Sequence, residues 1–149
     1  MKDTPVIINR RAKFEYHFLQ KYEAGIMLTG TEVKSLRLGN ANLSDAYCLF
    51  HHNELILKKM YIAEYEQGNI HNHEPRRDRK LLLKKQELRK LERKMNEKGL
   101  TIIPFKVFFN DRGLAKVEIA LAQGKKIYDK RESIKDRDMK RDVERNLKY

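Results

Sequence analysis

Apolar and polar positions alternate over short stretches for much of this chain, and the exceptions are as informative as the rule. Residues 14–19, FEYHFL, are aromatic-rich and predict a strand. Tyr22-Glu23-Ala24-Gly25 predicts a turn or bulge, with Gly25 supplying backbone freedom, and extended structure resumes from Ile26 to Leu28. Thr31 to Arg37 predicts a short helix: Thr31 is placed to cap it, Val33 and Leu36 share a face, and Gly39 ends it. Ala46–Phe50 and Leu55–Ile62 flank His51-His52-Asn53-Glu54 and predict a hairpin. Glu64 to Arg79 has no periodicity and reads as a long loop. Leu81 to Lys98 is the clearest helix, with Leu81, Leu88, Leu91 and Met95 as its buried stripe and Gly99 as its stop. Thr101–Phe109 and Ala115–Ala122 predict two strands joined by the turn Asn110-Asp111-Arg112-Gly113.

Short antiparallel strands with two helices and no internal repeat suit a small closed or nearly closed barrel, in which pairing removes the edge strands. The helix at 81–98 is expected to lay its apolar stripe on a barrel opening. Lys84, Lys85, Arg89, Lys90, Arg93 and Lys94 would then face solvent or RNA. The loop before it crowds Arg76, Arg77, Arg79 and Lys80 into five positions, a repulsive cluster unless it meets phosphate.

Charge sharpens the picture. The 149 residues carry a net charge of +12, and it is unevenly placed. Residues 1–75 balance nine basic side chains against nine acidic ones, whereas residues 76–98 hold eleven against four. The last 26 residues, GKKIYDKRESIKDRDMKRDVERNLKY, hold ten against six. Localised positive charge points to nucleic acid or an anionic membrane surface. No apolar run approaches the ~20 residues that cross a bilayer, and the N-terminus lacks the apolar stretch of a secretory signal. A single cysteine, Cys48, excludes an intrachain disulfide and fits a reducing, cytoplasmic setting.

The final segment cannot bury a core of its own, yet after Gly124 it contains neither Pro nor Gly and its residue types favour a helix. At 100° per residue Lys130, Arg137, Arg141, Arg145 and Lys148 fall on one side, opposite Asp129, Glu132 and Asp136. Asp138, Asp142 and Glu144 interrupt the basic side. Fully helical, the segment would extend roughly 30–40 Å. It reads equally as a polyanion-binding arm and as a solvated tail. For membrane insertion it lacks a wide apolar face.

Catalytic chemistry finds little support. His71-Asn72-His73-Glu74 offers one side of a metal-ligand set with no second cluster. His51 and His52 fall in a turn, and His17 alternates with aromatics as a half-buried strand residue. There is neither a phosphate-binding GxxxxGK[ST] loop nor a Gly-x-Ser-x-Gly elbow. A small basic nuclease using His and Lys stays open on residue types, without any spacing to support it. Glu23 is the acidic residue of most interest: its carboxylate can accept from a guanine edge or orient an arginine, or it is a solvated turn glutamate.

These residues carry a resemblance. Asn9-Arg10-Arg11-Ala12, YEAGIMLTGTEVKSLRLGNANLSDAY from Tyr22 to Tyr47, PRRDRKLLLKKQEL from Pro75 to Leu88 and GKKIYDKRESIKDRD from Gly124 to Asp138 occur in an order and spacing similar to the SmpB family, the SsrA-binding proteins of bacterial trans-translation. The resemblance spans the chain. It implies a six-stranded antiparallel barrel, oligonucleotide-binding-like, over residues 1–123, and a basic tail over 124–149 that is helical when bound to RNA. It implies an adaptor that is not an enzyme and needs no cofactor or metal. Its partners would be transfer-messenger RNA (tmRNA, or SsrA RNA), the stalled bacterial ribosome and its small-subunit ribosomal RNA. Elongation factor Tu and alanyl-tRNA synthetase would be met indirectly through that RNA. By motif, Asn9, Glu23, Lys34, Arg37, Arg79, Lys80 and Leu82 would lie on or support the tmRNA surface. Gly124, Lys125, Lys126, Tyr128, Asp129, Lys130, Arg131, Lys135 and Arg137 would meet ribosomal RNA. Tyr128 stands where members carry His or Tyr, suited to stacking on a base. Lys84 departs from the His or Asn common after the leucine triplet. The runner-up within binding proteins is a ribosomal or assembly protein with a basic extension.

Overall fold

The computed structural model describes residues 4–97 and 99–124. In chain order the elements are β1 (Ile7–Ile8), α1 (Arg10–Glu15), β2 (Tyr16–Ile26), α2 (Gly30–Arg37), β3 (Ala41–Asn42), β4 (Tyr47–His51), β5 (Glu54–Lys58), β6 (Tyr61–Ile62), a single 3-10 turn at Asn69–His71, β7 (Arg79–Leu82), α3 (Lys85–Lys94), β8 (Leu100–Phe109) and β9 (Ala115–Gly124). The strands β8-β4-β5-β7-β2-β9 follow one another through antiparallel pairs, and β9 pairs back onto β8, so six strands close a barrel. β1 adds outside the ring on β8, and β3 and β6 pair separately.

Alternation explains the closure. Tyr22, Ala24 and Ile26 of β2 point inward and are buried, while Lys21 before them and Glu23 between them are exposed. Leu55, Leu57, Leu81, Ile102, Ile119 and Leu121 complete the interior, each at 1% exposure or less. Burial of one such side chain contributes roughly 1.5–3 kcal/mol before conformational entropy is counted. Two bulges bend the walls, between Phe18 and Gln20 in β2 and between Pro104 and Lys106 in β8. Pro104, which has no N–H for the ladder, sits beside the second of them. A smaller apolar cluster lies on the outer face, where Ala12 of α1 packs with Ile103, Phe105, Ala120 and Ala122.

The helices occupy opposite ends of the barrel. α2 follows the end of β2, and Arg37 on it lies over the ring of Phe109, the last residue of β8, at 5.4 Å. α3 leads into the start of β8, where Leu100 is opposite Gln123 near the end of β9. Leu91 of α3 is buried, and Leu88 and Met95 pack against the core.

Several local expectations shift. Phe14 and Glu15 belong to α1, so the first long strand begins at Tyr16. Tyr22–Gly25 is continuous strand, and the irregularity sits earlier, at Leu19. α2 is capped by Thr29, two residues before Thr31, through a reciprocal pair: Thr29 Oγ1 accepts from Glu32 N–H at 3.4 Å and Glu32 Oε1 accepts from Thr29 N–H at 2.8 Å. The hairpin loop is confined to His52 and Asn53, both at positive φ, with His51 and Glu54 already paired. The clearest predicted helix is two elements: Arg79–Leu82 is strand β7, so Leu81 fills the barrel from a strand. His17 is exposed rather than half-buried.

Candidate nucleic-acid interface

The loop from Ala63 to Asp78 is tied to α2 by a buried polar network. Glu32, at 0% exposure, receives Arg77 Nη2 on Oε1 at 2.6 Å and Arg79 Nε on Oε2. Arg79 is equally buried, and its remaining donors reach the Met60 carbonyl at 2.7 Å and the Pro75 carbonyl at 3.1 Å. His73 spans Thr31 Oγ1 and the Ile62 carbonyl, each at 2.9 Å. Burial alone would raise the Glu32 carboxyl. The Arg77 hydrogen bond, the Thr29 N–H, and the charge and hydrogen bond of Arg79 more than offset that and hold it below the ordinary glutamate value. Burial pulls the Arg79 guanidinium down, and Glu32 opposes that pull.

This network reverses the meaning of the arginine cluster at 76–80. Arg77 and Arg79 share one carboxylate, Arg76 donates to the Lys59 carbonyl at 3.1 Å and lies over Tyr61, and Lys80 pairs with Glu54 at 3.0 Å. Repulsion within the cluster is relieved by the protein itself. Arg79 lies beneath the surface and cannot touch an RNA.

What Arg79 supports is the outer wall of β2 and β7. Gly25 is opposite Leu82, and Met27 N–H donates to the Lys80 carbonyl at 3.0 Å. Glu23, Met27 and Leu82 are exposed there, with Lys80 half-buried beside them. A Cβ added at Gly25 would stand 3.4 Å from Leu82 Cβ, so glycine keeps the wall flat where the two strands meet. Glu23 is opposite Glu118 of β9, a like-charge pair that strand pairing does not favour. Flat apolar surface edged by a carboxylate and an ammonium suits bases and sugars rather than phosphate alone.

Not all of the predicted residues gather here. Lys34 and Arg37 are exposed on α2 at one barrel end, Lys34 with its ammonium 5.4 Å from the Tyr65 ring. Asn9 lies across the barrel: its side chain caps α1 by accepting from Ala12 N–H at 3.3 Å and donates to the Leu43 carbonyl at 3.3 Å, while its N–H donates to Phe105. Gly124 closes β9 opposite Tyr16. Lys125, Lys126, Tyr128, Asp129, Lys130, Arg131, Lys135 and Arg137 lie outside the described residues. Sequence reasoning missed Glu32 and His73 as the support of the wall. A signal for Glu32 existed in Thr29-Gly30-Thr31-Glu32, the spacing of a capping box.

Among the described residues no group of three or more His, Cys, Asp or Glu could hold a metal ion, and no helix is long and apolar enough to cross a membrane. Cys48 is buried, and burial pushes its thiol far above its ordinary value.

The chain is similar to known proteins along nearly its whole length. The family model described as SmpB protein matches residues 6–149. An SsrA-binding protein of Phocaeicola vulgatus is 56% identical over 149 residues, covering 99% of each chain. One of Moorella thermoacetica is 58% identical over 140 residues, covering 94% of this chain and 90% of its own. A chain from a solved structure concerned with tmRNA–SmpB at the centre of the bacterial ribosome superposes with a TM-score of 0.69 at 53% identity, covering 80% of this chain and 84% of that one.

Proposed function

The chain belongs to the SmpB family, and from that premise we propose that it is an RNA-binding adaptor of ribosome rescue, which binds the tRNA-like domain of tmRNA and delivers it to stalled ribosomes for trans-translation. The observation that carries this is identity above one half with SsrA-binding proteins along nearly the whole chain, on the same barrel as the SmpB of the ribosome structure. The protein acts by holding one RNA in register inside another RNA machine, in the cytoplasm, and not by catalysis. Elongation factor Tu and alanyl-tRNA synthetase meet it only through tmRNA.

In this reading the β2–β7 wall, with Glu23, Lys80 and Leu82, faces the tmRNA, and Lys34 and Arg37 extend the contact along α2. Arg79 and Asn9 support the contact from within. Arg79 fixes β7 through Glu32, and Asn9 caps α1 and ties it to Leu43. Residues 124–149 occupy the empty message channel near the decoding centre. There Lys125, Lys126, Lys130, Arg131, Lys135 and Arg137 meet ribosomal RNA phosphates, Asp129 orients neighbouring cations, and Tyr128 stacks on a base.

The test is to recover the protein from bacterial lysate and sequence the RNA that accompanies it at low and moderate salt. One dominant RNA that survives moderate salt, ends like a tRNA and encodes a short peptide is the expected result. A mixture lost steeply as salt rises would mean counterion-driven phosphate binding alone and would end the reading. Stable presence in every ribosome would favour a ribosomal protein instead.

A further inference from the structure

α3 carries a charge arrangement that the protein itself leaves uncompensated. At 100° per residue Leu88, Leu91 and Met95 form the stripe facing the core, and Lys85, Arg89, Lys90, Arg93 and Lys94 occupy the opposite side, all exposed. Three same-sign pairs stand four residues apart, Lys85/Arg89, Arg89/Arg93 and Lys90/Lys94, and such pairs weaken a helix. Among the described residues none of these five cations makes an ion pair. The two carboxylates on the helix do not relieve them. Glu87 is half-buried and accepts from Lys84 N–H at 3.3 Å, and Glu92 stands at the edge of the basic side. Residues 76–80 differ, because each of their cations finds a protein acceptor where their crowding suggests phosphate.

Position says which polyanion this face meets. β7 ends at Leu82, on the wall with Glu23 and Gly25, and α3 begins at Lys85, so the basic face continues that wall around the barrel end. On the wall Lys80 is paired with Glu54 and Glu23 stands opposite Glu118, while Lys116, opposite Gly25, makes no ion pair among the described residues. An RNA seated there needs its backbone neutralised nearby, and α3 supplies about 15 Å of cationic surface at 1.5 Å per residue. We propose that the outer face of α3 is a second docking surface for tmRNA, where Arg89, Lys90, Arg93 and Lys94 take backbone phosphates of the strand that the β2–β7 wall reads. The proposal rests on the tmRNA reading above.

The experiment measures tmRNA affinity of the full chain against salt concentration, for the unaltered protein and for R89Q/K90Q/R93Q/K94Q. Glutamine keeps helix propensity close to that of the residues it replaces, and circular dichroism checks the fold. Each lost phosphate contact removes roughly 0.7–0.9 from the slope of log affinity on log salt. The expected result is a slope shallower by about 3, with affinity lower by on the order of 10- to 100-fold near physiological salt. The charge-retaining variant R89K/K90R/R93K/K94R keeps the original slope, and a slope as shallow as that of the glutamine variant would overturn phosphate contact. An unchanged slope in the glutamine variant overturns the inference, and weakened binding confined to ribosomes would assign the face to ribosomal RNA instead. If the unaltered protein shows no preference for tmRNA over an unrelated RNA of equal length, the functional reading itself fails, whatever the variants do.

Discussion

Glu32 has no solvent to fall back on: its side chain is fully buried, and Arg77, Arg79 and the Thr29 N–H are the partners that keep it ionised. Removing one partner of a buried ion pair leaves the other charged and unpaired, which costs more than the pair contributes. Glu32→Gln keeps the shape but strands Arg79, so it is expected to lower stability by about 3–5 kcal/mol, measured by urea unfolding. The pH dependence has a defined sign. Because the folded carboxyl sits below its ordinary value of 4.5, the unfolded chain binds its proton first as pH drops. The contribution is therefore complete above that value and is lost as pH falls through the lower folded value. The gap between unaltered protein and Glu32→Gln should be widest near neutrality and narrow below pH 4.5; a gap that widened in acid would contradict the assignment.

On the strand β2 a single position separates stability from recognition. Glu23 is opposite Glu118 and is exposed, so in the free protein its charge works against the ladder rather than for it. Glu23→Ala is expected to leave the unfolding midpoint unchanged or slightly higher while weakening tmRNA binding, and paired denaturation and affinity measurements read both. Unchanged affinity would return Glu23 to the role of a solvated glutamate. The two hairpins were the legible part of this molecule, Ala46–Phe50 with Leu55–Ile62 and Thr101–Phe109 with Ala115–Ala122, whereas Tyr22–Gly25 reads as a turn or bulge and is strand. Arg79–Leu82 was not legible. Leu81 keeps a seven-residue spacing to Leu88 that fits a helix, and its pairing with Leu55 and Ile26 decides otherwise from sequence positions far away. The same distance hid Arg79: nothing in Arg76–Lys80 announces that the carboxylate for it stands 47 residues earlier, on α2. Resemblance to the family supplied Asn9, Arg79 and Leu82 as a set, and the barrel separates them into a cap, a buried strut and an exposed strand residue.

At the scale of the whole molecule the excess positive charge divides between residues 76–98 and the last 26 residues, and the barrel gives the first of these its place. β9 runs to Gly124, which is still opposite Tyr16, so the body closes without any residue beyond 124. Residues 125–149 carry ten basic and six acidic side chains and few apolar ones, a composition that gives the barrel interior little to bury. The β2–β7 wall and α3, both on the body, hold the groups proposed to meet tmRNA. Deleting residues 125–149 is therefore expected to leave the unfolding midpoint and tmRNA affinity close to those of the full chain, with a salt slope lower only by whatever phosphates the tail meets in the free complex. Tagging of nascent chains on stalled ribosomes should be abolished, because the message channel is then left without the occupant proposed for it. A reconstituted tagging reaction with purified ribosomes and tmRNA separates the outcomes. Tagging at the normal rate by the truncated protein would sink the division of labour. Loss of tmRNA affinity in the same protein would move the recognition surface from the barrel wall to the tail.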